Sequence, residues 1–535
     1  MNKTIKILCM VILSSCIFSC KENLPDGEYE LTLFSHGDIH GNWFTTLPKI
    51  AGHVNAERER IGDDKVIFLD LGDHNHGSDA AYYYNHIYEY NPGEEHVWSR
   101  VADYIKYDAV VVGNHDIEAG PQNWKKIKVE LDMPYLAANI LDSTTFKSYF
   151  QPYTVLDKGG IKVAVIGFTT PAAKLWLGSE KKSGIHFDEI CVLADSLVRF
   201  VNEKEQPHFT ILALHSGIGS GLHEETEDVA AYLGSTLEGA DLILAAHDHK
   251  GVINKYENNY VASTDAYGKD IIRTGISIVI EDGQTIEKQL SIESIKTDSL
   301  LPCRNFQGHF AKEMKCVEEF SNSVIGQADI DIDPKQILKG SCTYSNLLHH
   351  VQLEESGADI SFVSPSKFRG VVPAGDVTYK QILQMYPFEN ILYKIKLSGR
   401  EILAYLEESY KIFASDGKLV GSPQNFDCAG GLNYTVDLKQ PVGNRIKINY
   451  LENGKAFNTD SNYTVAMVSY RANGGGELMM KATGLAADEL ESRVIGKYSD
   501  VRELIFNFFK SGKSLKKLGG RVKSNFDPVF FCKSF

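Results

Sequence analysis

Six short apolar runs limit how this chain can fold. Tyr29 to Phe34 alternates and is rich in β-formers. Lys65 to Leu71 (KVIFLDL), Ala109 to Val112, Ile161 to Phe168 (IKVAVIGF), Phe209 to Leu214 (FTILAL) and Asp241 to Ala246 (DLILAA) are nearly continuous. Runs of this length suit strands buried on both faces of a sheet. Helix-like stretches such as Ile190 to Asn202 and Glu224 to Leu233 lie between them, which is the pattern of an α/β layer. After about Leu300 the character changes. Phe310 to Phe320 reads as a connecting helix. A second unit then brings helices at Tyr344 to Gln352 and Gly399 to Tyr410, and strands at Ile360 to Val363, Ile391 to Leu397 and Tyr463 to Val468. With 535 residues, two domains are the natural division.

Most of the first-half runs end in chemistry. Asp38-Ile39-His40-Gly41-Asn42 follows the first, and Gly72-Asp73 the second. Gly113-Asn114-His115-Asp116 follows Ala109 to Val112. His215 follows FTILAL, and His247-Asp248-His249 follows DLILAA. In an open α/β sheet the carboxyl ends of the strands face one crevice. Asp38, His40, Asp73, Asn114, His215, His247 and His249 are therefore expected to converge there. Seven donors exceed one tetrahedral ion and suit two ions sharing a carboxylate. Mixed nitrogen and oxygen ligands fit Zn, Mn or Fe without choosing among them. Such a pair clamps the attacking and leaving oxygens of a phosphoryl displacement, and a hydroxide bridging two cations is a nucleophile at neutral pH. His74 and His76 match no ligand position and are read as bystanders. Gly217-Ile218-Gly219-Ser220-Gly221 lacks the lysine of a nucleotide-triphosphate cradle.

The order D-x-H, G-D, G-N-H-[DE], H, H-x-H resembles the calcineurin-like metallophosphoesterases. The second half extends the resemblance to the two-domain 5′-nucleotidase and 2′,3′-cyclic-nucleotide 2′-phosphodiesterase family. It implies an α/β fold: a four-layer sandwich-type metallophosphoesterase domain over 27–300, a linker helix over 301–326, and a smaller α+β nucleotide-binding domain over 327–535. It also implies that Asp38, His40, Asp73 and His249 hold one metal, and Asp73, Asn114, His215 and His247 the other. His115 would stabilise charge developing on the transferred phosphoryl or the leaving oxygen. The residue that orients it, usually Asp in the family, is Glu118 here.

In proteins the chain resembles, the second domain supplies a nucleoside pocket. Ser364-Pro365-Ser366-Lys367-Phe368-Arg369 stands where the family commonly has Asn-Gly-Gly-x-Arg, and Arg369 survives as a candidate phosphate or carboxylate clamp. By the same resemblance Phe426 and Tyr470 are candidate base-stacking aromatics; such a sandwich tolerates any base. Gly476 occupies the place of the Asp in the G-G-D-G motif of 5′-nucleotidases. That form, with the N-F-D segment and Pro171 to Trp176, looks more like bacterial 2′,3′-cyclic-nucleotide 2′-phosphodiesterase/3′-nucleotidases. The alternatives are a 5′-nucleotidase or UDP-sugar hydrolase, and a catalytically silent nucleotide-binding surface protein.

The formal net charge of −15 argues against a binder of polymeric nucleic acid, which needs a basic face. Lys3 and Lys6 precede the apolar run Ile7 to Phe18, then small residues and a cysteine, so residues 1–20 read as an export leader. Cys20, or Cys16, lies in a lipobox-like context. The expected location is the periplasm or outer membrane, as a lipoprotein without a spanning helix.

Overall fold

A computed structural model describes residues 24–177, 181–222, 227–365, 370–387 and 390–518. The leader, with Cys16 and Cys20, lies outside these residues, as does Arg369.

The first half forms two six-stranded sheets. One runs, in spatial order, Gln284–Lys296, Asp270–Glu281, Gly27–His36, Val66–Asp70, Ala109–Val111 and Tyr135–Leu136. The other runs Val252–Lys255, Tyr260–Ser263, Leu242–Ala245, Phe209–His215, Ile161–Thr169 and Tyr153–Lys158. The inner strands pair in parallel, so their carboxyl ends share one rim. Side chains alternate along each strand between two apolar layers. Ile67 and Leu69 of the first sheet join Phe209, Ile211 and Ala213 of the second in a core between the sheets. Val66 and Phe68 face a helix layer holding Ile50, Val54 and Trp98. Leu212 and Leu214 face another, holding Ala194, Val198 and Val201. The result is a helix–sheet–sheet–helix sandwich, and its double coverage is why the runs are continuous rather than alternating.

The three consecutive tyrosines Tyr82, Tyr83 and Tyr84 lie in helical backbone. Asp79–Tyr82 continues into a wide turn over Tyr83–Ile87, closed by the Tyr88 N–H donating to the Tyr83 carbonyl at 2.8 Å. The connector is helical too, over Phe306–His309 and Ala311–Asn322. It rests on the first unit through Ser321 Oγ to Asp79 (2.5 Å) and Arg100 to Glu313 (2.7 Å). Phe320 meets Tyr379 of the second unit at 4.4 Å.

The second unit has one apolar core around a five-stranded sheet in the order Cys428–Gly430, Ile360–Val363, Asn462–Val468, Ile391–Ser398, Val494–Asp500. Helix Gly399–Ser409 begins where Ser398 and Glu401 cap each other: the Glu401 N–H donates to Ser398 Oγ and the Ser398 N–H to Glu401 Oε2 (2.7 Å).

Two buried histidines make the whole fold sensitive to acid. His96, in the first unit, donates from Nε2 to Asn85 Oδ1 (3.0 Å) and accepts the Trp98 N–H at Nδ1 (3.1 Å), which is the neutral form. His349, in the second, contacts Ser361 Oγ at 3.1 Å. Burial lowers each pKa from 6.5 to about 3. Below pH 6.5 the unfolded chain takes up a proton that the native one refuses, so stability is lost as pH falls from 6.5 toward 3. Each site contributes a slope of up to about 1.4 kcal/mol per pH unit. The thermal midpoint is expected to drop across that window, and less steeply in His349→Leu. An identical slope in the variant would contradict this account.

Candidate metal centre

The loops leaving the parallel strands are laced together at the rim. The Asp38 N–H donates to the Gly72 carbonyl and the His40 N–H to the Asp73 carbonyl, both at 2.9 Å. The Asp116 carboxylate accepts four backbone N–H groups: Gly113 at 2.7 Å, Asp73 at 3.1 Å, and His74 and Asn75 at 3.0 Å. It thereby ties the Gly72-Asp73 loop to the turn carrying Asn114 and His115. Glycine is required where these loops cross. A Cβ at Gly113 would lie 2.2 Å from Asp73 N, and one at Gly72 would lie 2.8 Å from His215 Nδ1.

Asp38, His40, Asp73, His247 and His249 all adopt positive φ, between 48° and 86°. Left-handed backbone at such residues costs on the order of 1–3 kcal/mol each and persists only where surroundings enforce it, characteristically at functional sites. The geometry delivers two convergent groups. Ligand atoms of Asp38, His40 and His249 lie within 4.8 Å of one another, and so do those of Asp73, His215 and His247. Asn114 Oδ1 stands 3.1 Å from His215 Nε2, and Asp73 Oδ2 stands 3.2 Å from it. All seven residues read from the sequence as ligands therefore meet at one rim.

The donors suit cations. His215 Nδ1–H donates to the Leu71 carbonyl at 2.8 Å, which turns the Nε2 lone pair toward Asp73 and Asn114. Burial works against a charged His215, yet Asp73 outweighs it and raises the pKa to about 10; a divalent cation on the same atoms answers the same demand with more charge. Burial lowers His40 to about 3, keeping it a neutral donor. Asp38 is fully buried. Burial pushes its pKa up, but His249 and His215 prevail and hold it at about 2. Its Oδ1 has no hydrogen-bond partner among the described residues; His249 Nε2 is 3.5 Å away and His40 Nε2 3.9 Å. A buried carboxylate oxygen without a hydrogen-bond partner, near two imidazole nitrogens, fits a metal ligand.

Beside this rim His115 Nδ1 hydrogen-bonds Glu118, and His115 Nε2 lies 4.0 Å from Asp73 Oδ2. Burial opposes protonation of His115, but Asp73 and Glu118 together raise it to about 9. The longer Glu side chain thus reaches the ring. A cleft of about 480 Å³ opens from Asp73, Asn114, His115 and His247 to the second unit, where Tyr344, Tyr386, Gln424 and Tyr470 line it.

The second-domain expectations divide. Tyr470 borders the cleft at 39% exposure. Phe426 does not: its exposure is 0%, and its ring meets Tyr410 at 5.0 Å and Phe413 at 5.4 Å, both edge-on. The facing pair of aromatics is corrected to one cleft-side ring, because Phe426 is spent on the core. Its neighbour Asp427, to which sequence reasoning gave no role, pairs with Arg471 at 3.1 Å and ties the Phe426 segment to the short helix Ser469–Ala472 that carries Tyr470. Sequence reasoning also passed over Asp116, although it ends the G-N-H-D motif, and over Tyr267, whose ring lies 5.2 Å from His40 and 5.7 Å from His249. His74 and His76 are not bystanders. His74 sits between Asp70 (3.3 Å) and Asp116 (3.5 Å), and His76 stacks on His115.

Comparison with known proteins agrees with this geometry. The calcineurin-like phosphoesterase family model matches residues 36–251, and the 5′-nucleotidase C-terminal domain model residues 324–483. The chain belongs to the two-domain 5′-nucleotidase family of calcineurin-like phosphoesterases. It is 24% identical over 502 residues to a 5′-nucleotidase of Vibrio cholerae, covering 84% of this chain and 86% of the relative. It is 22% identical over 554 residues to a 2′,3′-cyclic-nucleotide 2′-phosphodiesterase/3′-nucleotidase of Yersinia enterocolitica, covering 88% and 84%. In fold it resembles a putative 5′-nucleotidase of Staphylococcus aureus, with a TM-score of 0.78, 20% identity, and coverage of 93% of this chain and 100% of that one. Like its family, it is a metal-dependent phosphoric ester hydrolase acting on nucleotides. No helix among the described residues is long and apolar enough to cross a membrane.

Proposed function

We propose that this chain is a 2′,3′-cyclic-nucleotide 2′-phosphodiesterase/3′-nucleotidase working with two divalent cations, exported and lipid-anchored through Cys20 or Cys16. Asp38, His40, Asp73 and His249 would hold one cation, and Asp73, Asn114, His215 and His247 the other. Bound there, the cations neutralise phosphoryl charge and activate water. His115, fixed at Nδ1 by Glu118, turns Nε2 toward the cleft and donates a hydrogen bond to the phosphoryl group or the leaving oxygen. Tyr470 offers a face for a base of any identity. Arg369 remains a candidate clamp.

The observation that carries the choice of branch is at Gly476. Its φ is +70°, and a Cβ there would lie 2.2 Å from Arg471 Nη1. Arg471 is itself held by Asp427 and by the Gly475 carbonyl (3.1 Å). The space that an Asp at 476 would need for gripping ribose hydroxyls is taken by a guanidinium. A ribose free of that grip can present its 2′,3′ edge to the cations. The 5′-nucleotidase reading draws on the Vibrio relative, whose identity of 24% exceeds the 22% of the Yersinia one; a UDP-sugar hydrolase is the other form of that alternative.

The test is phosphate release from 2′,3′-cyclic AMP, 3′-AMP, 5′-AMP and a UDP-sugar, with Mn or Zn and after exhaustive chelation. Turnover of the first two, abolished by chelation, is expected. Faster release from 5′-AMP transfers the chain to the second reading. Binding without release makes it a silent surface protein.

A further inference from the structure

The plane of the His115 ring is set by a neighbour outside the ligand set. A hydrogen bond at Nδ1 alone is a pivot: Glu118 fixes one ring atom and leaves the ring free to tilt about that bond. Catalytic groups tolerate little of this, since a displacement of about 1 Å at a reacting atom can cost roughly a hundredfold in rate. Here the tilt is blocked. The His76 ring lies flat on His115, with centroids 4.4 Å apart and planes 8° from parallel. His40 closes another side edge-on, at 5.5 Å and 68°.

His76 is itself firmly seated. It is 4% exposed. The residue before it, Asn75, is held by its N–H to Asp116 at 3.0 Å. At the residue after it, Gly77, a Cβ would stand 3.1 Å from His40 Cβ. Asp116 follows His115 directly and also binds the Asp73 N–H. One carboxylate therefore positions both rings of the stack and the loop of a candidate ligand.

We infer that His76 is a positioning residue: its ring face holds the His115 imidazole in the plane that brings Nε2 to the phosphoryl group. The inference rests on the role proposed above for His115, but not on the choice of nucleotide.

The experiment uses the full chain loaded with Mn, with 4-nitrophenyl phosphate and 3′-AMP as substrates, and compares wild type, His76→Ala and His76→Phe. In His76→Ala, kcat is expected to fall roughly ten- to a hundredfold with KM and bound Mn unchanged. Phe, which keeps a flat ring but no nitrogen, is expected to recover most of kcat. His76→Leu, which fills the space without a flat face, replaces Ala if thermal melting shows that Ala does not fold. The proposal is overturned if Phe is no better than Ala, if KM rises in place of the fall in kcat, or if bound metal drops. That last result would make His76 a ligand, together with His115 and Glu118, whose donor atoms lie within 4.8 Å of its own. A wild type that hydrolyses 4-nitrophenyl phosphate but no nucleotide defeats the proposed substrate and leaves this comparison intact.

Discussion

Asp73→Asn is expected to reduce phosphate release by at least about a thousandfold, beyond the ~10–100-fold cost of losing an outer partner of a metal ligand. Asp73 is 1% exposed and stands at the junction of the site. Its Oδ1 accepts the His115 N–H at 2.8 Å, while Oδ2 faces His215 at 3.2 Å and His115 at 4.0 Å. Asn preserves the shape and the acceptor for the His115 N–H. It removes the negative charge that cations would share, and with it the main force that raises both histidines above their ordinary range. The variant should therefore fold, bind less Mn or Zn by elemental assay, and turn over very slowly. Full activity in Asp73→Asn, or in wild-type protein stripped of metal, would remove the two-cation mechanism.

The second large effect is on stability. Arg471 is 2% exposed and Asp427 1%. The guanidinium meets the carboxylate through Nε and Nη2 at 3.1–3.2 Å and also binds the Gly475 and Gln424 carbonyls. Tyr405 and Ser364 donate to the same carboxylate, each at 2.5 Å. A buried pair of this kind is of modest net worth, but removing one partner strands the other charge and costs about 3–5 kcal/mol. Asp427→Ala is thus expected to lower the unfolding free energy of the second unit by that amount in urea titration. The double variant Asp427→Leu, Arg471→Met should recover much of the loss. A single variant as stable as wild type would show the pair to be idle.

Much of the architecture is legible in the chain itself. The runs KVIFLDL, IKVAVIGF, FTILAL and DLILAA became Val66–Asp70, Ile161–Thr169, Phe209–His215 and Leu242–Ala245, because strands covered on both faces need unbroken apolar sequence. The long hairpin of Asp270–Glu281 and Gln284–Lys296 escaped that reading. Asp270–Glu281 alternates buried with half-buried residues and Gln284–Lys296 has no buried residue, so a search for continuous runs passes over the pair. Glu224 to Leu233 read as a helix, whereas the described helix is Ala230–Thr236.

The site was partly legible for a similar reason. Residue type and position after a strand are local properties, and a strand's parallel neighbours carry its carboxyl end to a shared rim. That much follows from the chain alone for Asp38, His40, Asp73, Asn114, His215, His247 and His249. The direction in which a side chain leaves its loop is not local. It depends on φ at residues such as Asp38 and His247, and on which distant group fills the adjacent space. Packing across elements turned Phe426 into the core against Tyr410 and Phe413, set Arg471 where a side chain at 476 would go, and laid His76 on His115. Those outcomes arise from contacts between segments roughly a dozen to some forty residues apart, and only the folded chain brings such segments within reach of one another.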